Sequence, residues 1–292
     1  MKRLLGIDLG GTTIKEVLLD ETGQILRQDS TPTLDTSDCN RWKEAIRSMV
    51  SHAEAGSIGL SAPGLANREG TQITLMPGRL HGLERFDWEA FLGRSVRVLN
   101  DAHAALLGEA WLGAARGCRH VVMLTLGTGV GGAVQADGRL LRGAIGRAGH
   151  FGHLSLDPSG KPDIAGTPGS LEEAIGECTV RQRSGYASTR ELVEAAQLGV
   201  PEARTAWLES VRALAAAVAS LINAFDPERV VIGGGISAAG RALFDPLEHF
   251  LNEMEWRPAG HRVPVVPATL GGWAGAIGAA SYAFYGEEPR IS

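Results

Sequence analysis

Two separate stretches of this chain repeat one pattern. LLGIDLGGTTIKEVLLDETGQILRQ (Leu4 to Gln28) and VVMLTLGTGVGGAVQADGRLLRG (Val121 to Gly143) each run from an apolar strand through a glycine-rich turn into a second strand. A polar turn holding Gly23 or Gly138 follows, and then a third strand begins. Aligning Asp8 with Thr125 places Gly10 on Gly127, Gly11 on Thr128 and Thr12 on Gly129. A single glycine-rich hairpin is commonplace. Two at equivalent places predict a duplicated α/β architecture whose halves face each other across a cleft and cradle one phosphate chain from both sides.

The segments between and after the hairpins alternate in the α/β manner. Helices are expected over Arg41 to Ala55, over DAHAALLGEAWLG with Asp101 as N-cap, over Glu202 to Ala224 and over the closing GWAGAIGAASYAFYG; strands are expected at SIGLSAPG, SVRVLN and RVVIGGG. The region from Asp157 to Gly169, punctuated by proline and glycine, reads as a loop. A length of 292 residues fits two domains. We expect residues 1–113, joined by a C-terminal helix at about 275–292, to form one domain and residues 114–274 the other.

Composition narrows the function classes. A formal net charge of -5 without a Lys/Arg block argues against a nucleic-acid surface. No apolar run of about 18 residues is present to span a membrane, and the opening MKRLLGIDLGG is too short in its apolar part for a signal peptide. Three widely spaced cysteines make a disulfide framework improbable. The expected compartment is the cytoplasm.

Five motifs in order, DLGGTTIK (Asp8 to Lys15), NDAHAALLGE (Asn100 to Glu109), LGTGVGGA (Leu126 to Ala133), GAIGRAGHFGH (Gly143 to His153) and RVVIGGGIS (Arg229 to Ser237), make the chain resemble the ROK family of sugar kinases and related regulators. The resemblance implies an actin-like (ribonuclease H-like) ATPase fold. It also implies a homodimer, and transfer of the γ-phosphoryl group of ATP to a sugar hydroxyl, usually on C6 of a hexose. Gly10, Gly11, Thr12, Gly127, Thr128 and Gly129 can offer N–H and hydroxyl groups to phosphate oxygens. Asp8, beside those phosphates, calls for an intervening Mg²⁺ held largely through water. Asp101 serves equally well as a helix N-cap on residue type alone; the resemblance makes it the base that takes the proton of the attacking hydroxyl. Asn100, Gly64, His153 and Glu172 are placed by the same resemblance at the sugar, and Gly234 and Gly235 at the adenosine side. Lys15 receives no role.

The chain departs from the family pattern in three places. His150 stands where a carboxylate contacts hydroxyls at the C1–C2 end of the sugar, so the acceptor is expected to differ from glucose. The run DIAGTPGSLE (Asp163 to Glu172) has Asp163, Ala165 and Ser170 where zinc-binding relatives have cysteines, so no structural zinc site is expected. A new metal site from His150, His153 and Asp163 is the less simple alternative. Gly78 stands where many relatives carry a sugar-binding Asn. Two other readings stay open. One is a sugar-responsive regulator, disfavoured because the phosphate motif already begins at Asp8 and leaves no room for a DNA-reading helix; the other is a sugar-binding protein without catalysis.

Overall fold

The computed structural model describes residues 2–34, 40–76 and 79–288. Gly78 therefore lies outside the described residues. The chain divides into two compact units, one of Met1–Arg119, Val134–Ala148 and Thr269–Ser292, the other of His120–Ala133 and Gly149–Ala268.

In chain order the first elements are β1 (Arg3–Leu9), β2 (Thr13–Asp20), β3 (Ile25–Pro32), α1 (Asn40–His52), β4 (Ser57–Ala62), β5 (Leu65–Ala66), β6 (Ile73–Leu75), α2 (Trp88–Leu92), β7 (Arg97–Asn100) and α3 (Asp101–Leu112). Then come β8 (Val121–Leu126), β9 (Val130–Ala136), β10 (Arg139–Leu140), α4 (Leu171–Ile175), α5 (Val180–Ser184), α6 (Thr189–Gln197), α7 (Pro201–Phe225), β11 (Arg229–Gly233), α8 (Arg241–Met254), β12 (Val265–Pro267) and α9 (Ala274–Tyr285).

The repeat read from the sequence is a repeat of topology. One sheet has the order β3-β2-β1-β4-β7 and the other β10-β9-β8-β11-β12. In both, the first three strands of the copy form an antiparallel meander, and the next two join in parallel on the far side. Even the register corresponds: Asp8 lies opposite Ser61 and Thr125 opposite Gly233. The helix at residue 101 begins one position differently from expectation. Its N-cap is Asn100, whose Oδ1 accepts from Ala102 and His103 N–H, while Asp101 occupies the first helical turn. An amide oxygen caps as well as a carboxylate.

Within the first unit, α9 is packed between α3 and the face of β1 and β4. Small residues make this possible. A Cβ on Gly6 of β1 or Gly59 of β4 would fall on the carbonyls of Ala276 and Ala279, and a Cβ on Gly278 of α9 would fall on that of Ala104 in α3. Helix backbone thus lies directly on sheet backbone and on helix backbone, which explains why α3 is buried at every position from Ala102 to Trp111. A second cluster in this unit gathers Trp42, Phe86, Trp88 and Phe91 in edge-on contacts beneath α1 and α2.

In the second unit, β8 and β11 are buried along almost their whole length, as central parallel strands are. The 25-residue α7 is long and apolar enough to cross a membrane by length and composition alone. Here it packs against α4, α6 and α8 and buries Trp207, Leu214, Val218 and Leu221, the surroundings of a core helix. Cys118 and Cys178 are free thiols.

Replacing Gly278 with alanine should destabilise the protein by about 3 kcal/mol or more, because the overlap is with backbone that no rotamer change relieves. Gly235, whose Cβ position is open for 4 Å, should tolerate alanine within about 0.5 kcal/mol. Urea unfolding of the two variants against wild type checks both.

Candidate active site

In the first unit the chain brings Asp8, the turn Gly10 to Thr12, Gly64, Asn100 and Asp101 onto neighbouring strand ends. Asp8 leaves β1 next to β4, where the Ser61 hydroxyl donates to its Oδ1 at 2.6 Å. The turn is closed from both sides. Gly10 N–H donates to Thr13 O at 3.1 Å, Thr33 Oγ1 donates to Gly10 O at 2.7 Å, and Thr33 N–H donates to Thr12 O at 2.9 Å. Gly10 thus spends its N–H on holding the turn, and Gly11 and Thr12 form the crown. The Arg79 guanidinium lies alongside, with Nη1 3.7 Å from where a Cβ on Gly11 would be.

Asn100 is buried, and both ends of its amide are hydrogen-bonded. Nδ2 donates to Gly64 O at 3.0 Å and to Asp101 Oδ1 at 2.9 Å, while Oδ1 caps α3. Ala102 N–H adds a second donor to Asp101 Oδ1 at 2.8 Å. These bonds fix the plane of the exposed Asp101 carboxylate at the positive end of α3. Gly64 adopts φ 101°, a left-handed conformation open to glycine, with its Cβ side pressed on Leu75 O.

Asp8 itself is costly to ionise. Burial is the main cause, Asp101 adds like charge, and the Ser61 hydrogen bond with the Lys15 charge opposes them only partly, so the carboxyl is pushed up to about 6. Lys15 spends its ammonium on Gly272 O at 2.8 Å. The space for the carboxylate comes from α9: a Cβ on Gly275 would sit 2.8 Å from Asp8 Cγ.

In the second unit the equivalent turn is held differently. Gly127 N–H donates to Gly129 O at 2.9 Å, while the carbonyls of Gly127 and Thr128 accept from Glu177 and Cys178 N–H at 3.0 and 2.8 Å. Glu172 is drawn to this turn, accepting from Val130 N–H through Oε2 at 2.9 Å. A Cβ on Gly129 would strike that oxygen, and one on Gly152 would lie 3.3 Å from it. Glu172 therefore joins the glycine turn to the loop that carries His150 and His153. Gly234, at φ 86°, is pressed onto the backbone of Leu126 at the same strand end, whereas Gly235 faces open space.

His150 is half-buried and precedes a short 3₁₀ turn, Phe151–His153. His153 Nδ1 donates to Asp163 Oδ2 at 2.7 Å. No group of three or more His, Cys, Asp or Glu side chains able to hold a metal occurs among the described residues.

Sequence reading missed four participants. Ser61 and Gly275 are adjacent to Asp8 only through strand pairing and helix packing, and Arg79 reaches the turn only through the path of its loop. His103 sits inside the NDAHAALLGE motif, so spacing could have flagged it; its Nε2–H donates to Ala148 O at 2.7 Å.

Because the folded-state pKa of Asp8 is raised, its charge costs stability above about pH 6, and the cost disappears as the pH falls through 6 towards the ordinary carboxylate value, where folded and unfolded chains bind the proton alike. Asp8→Asn should raise stability at pH 8 in EDTA by about 1–3 kcal/mol, and the gain should shrink to nothing near pH 4. Thermal unfolding across that range measures it.

Comparison with known proteins places this geometry. The ROK family model matches residues 4–284. The glucokinase of Thermotoga maritima is 36% identical, covering 96% of each chain. The N-acetylmannosamine kinase of Salmonella typhimurium is 32% identical over 94% of this chain and 96% of its own. Among solved structures, a ROK family glucokinase from Streptomyces griseus, in complex with glucose and AMPPNP, superposes with a TM-score of 0.81 at 30% identity, covering 97% of this chain and 100% of that one. The fold is that of the actin-like ATPases. With the duplicated sheets, the paired glycine turns and a family match over nearly its whole length, the chain belongs to the ROK family.

Proposed function

We propose that this chain is an ATP-dependent sugar kinase, a phosphotransferase acting on an alcohol group. The observation that carries the reading is the pair of carboxylates in the first unit: Asp8 and Asp101 repel each other electrostatically, each is braced by a neutral donor, Ser61 or Asn100, and a glycine turn lies beside them. A protein bears that cost where a cation and a reacting hydroxyl offset it.

In this reading Asp101 accepts the proton of the attacking sugar hydroxyl as the oxygen bonds to the γ-phosphorus. Its plane is set by Asn100 and Ala102 N–H, which keeps the base oriented before the acceptor arrives. The N–H groups of Gly11, Thr12, Thr128 and Gly129 are the donors we assign to phosphate oxygens, since Gly10 and Gly127 use theirs to close the turns. Arg79 adds positive charge at the first turn. Gly235, open on its Cβ side, is the place we assign to a flat base.

Mg²⁺ fits the donor set: a divalent ion neutralises phosphate charge, and Asp8, raised by burial and by Asp101, is the carboxylate that a nearby cation would most readily return to its ionised form. Among the described residues no group of three or more His, Cys, Asp or Glu side chains could hold a metal, so the remaining ligands would be water and phosphate.

The acceptor we propose is a hexose, amino sugar or sugar-like polyol, phosphorylated on the C6 hydroxyl or its equivalent, whose C1–C2 end differs from that of glucose. His150 supports this, since an imidazole donates one bond and accepts one where a carboxylate accepts two. We further propose a cytoplasmic homodimer, by analogy with the family.

A coupled ATP assay against hexoses, amino sugars, polyols and cyclitols tests the activity; no turnover with any of them would end the proposal. Asp101→Asn should lower kcat by roughly 10²–10⁴-fold with nucleotide and acceptor still bound, and a variant above half the wild-type rate would exclude Asp101 as base. His150→Glu should raise kcat/KM on glucose relative to the native acceptor by roughly ten- to a hundredfold. An unchanged ratio would separate His150 from specificity.

A further inference from the structure

Asp163 is held from several sides in the second unit. Its side chain is 0% exposed. Oδ1 accepts from the N–H groups of Ala165 at 2.8 Å and Thr167 at 2.9 Å, and Oδ2 accepts from His153 Nδ1 at 2.7 Å. The backbone closes the same loop: Asp163 N–H donates to Thr167 O and Gly166 N–H to Asp163 O, each at 2.9 Å. Burial alone would raise the carboxyl, but hydrogen bonds from His153, Thr167, Ser170 and Ala165 outweigh it and hold Asp163 below the ordinary carboxylate range. Asp163 is therefore an anion, and an anion accepts hydrogen bonds without donating any.

That has a consequence for the ring. With Nδ1 facing a carboxylate, the proton of a neutral His153 is held on Nδ1, and Nε2 carries a lone pair. The side chain of His153 remains 36% exposed, so the ring is anchored at one nitrogen and still reachable by a ligand. We propose that Asp163 is a positioning residue that fixes the Nδ1–H tautomer of His153, so that Nε2 accepts a hydrogen bond from a hydroxyl of the sugar acceptor. The proposal rests on the reading above, in which His153 touches that acceptor. The loop needs no metal for this work: one buried carboxylate organises both the backbone and the imidazole.

The two N–H groups on Oδ1 make the proposal testable. In Asp163→Asn the amide oxygen must stay where Ala165 and Thr167 donate, which turns the NH₂ towards His153 Nδ1. The ring must then accept at Nδ1, its proton moves to Nε2, and the acceptor meets a donor where it met a lone pair. Nitrogen-15 spectra of histidine-labelled wild-type protein at pH 8, with the His153 signals identified by their loss in His153→Gln, should show a protonated Nδ1 and a bare Nε2. Asp163→Asn should reverse that pattern, and with the best acceptor from the sugar panel its KM should rise roughly ten- to a hundredfold while kcat stays within about threefold. A loss confined to folding would lower the unfolding temperature and leave the KM-to-kcat split and the tautomer untouched.

A wild-type Nε2–H tautomer would overturn the proposal, and so would a reversed tautomer with an unchanged acceptor KM. If Asp163→Asn does not fold, the wild-type spectrum decides: the Nε2 signal should shift when that acceptor is added, and a signal that stays in place overturns the proposal. Absence of turnover on every sugar would instead remove the kinase reading, with the wild-type tautomer still reporting whether Asp163 sets the ring.

Discussion

Direct contact between helix backbone and sheet backbone, made possible by glycines around α9, is the constraint on which the first unit depends. Gly6, Gly59 and Gly278 each occupy a place where one added carbon would overlap a carbonyl. The same helix supplies Gly275, which leaves the space that the Asp8 carboxylate fills, and the turn before it supplies the Gly272 carbonyl that holds Lys15. A shift in the seating of α9 would therefore reach Asp8 directly. Packing and electrostatics at this carboxylate are one problem: the close fit that stabilises the unit is also what removes water from Asp8 and raises its pKa.

Two carboxylates of this unit are served very differently by their surroundings. Glu109, fully buried at the far end of α3, accepts from Ala114 N–H at 2.6 Å, Leu270 N–H at 2.8 Å, and Thr269 N–H and Oγ1 at 3.0 and 3.1 Å. These bonds fasten the segment ahead of α9 to α3. Asp8 has Ser61 and a distant share of Lys15. The contrast is between an acid held by several donors and one held by the Ser61 hydroxyl.

In the second unit, carboxylates do the joining. Glu172 ties the turn at Gly129 to the loop at Gly152, and Asp163 ties the 157–170 loop to His153. Asp163, Ala165 and Ser170 belong to one hydrogen-bonded loop, in which Asp163 accepts from His153 and from the N–H groups of Ala165 and Thr167, and Ser170 caps α4 through a bond from Glu173 N–H. A fixed geometry needs either a metal with its ligands or enough directed hydrogen bonds around one buried anion.

The amino-acid sequence alone made legible the duplication, the helices that become α1, α3, α7 and α9, the strands β4, β7 and β11, and the glycine turns, because these depend on local periodicity and on residues a few positions apart; α6, α8 and β12 were not read from it. The long helix at 201–225 and the loop at 157–169 were legible for the same reason. Which of Asn100 and Asp101 caps α3 was not, since both residue types cap and the choice depends on where the backbone changes from extended to helical, at residue 100. Ser61, Arg79, Gly275 and the partnership of Asp163 with His153 were settled by tertiary structure. Each depends on segments meeting across strand pairing, helix packing or a folded loop, and a hydrogen bond of this kind leaves no periodic trace in the chain that forms it.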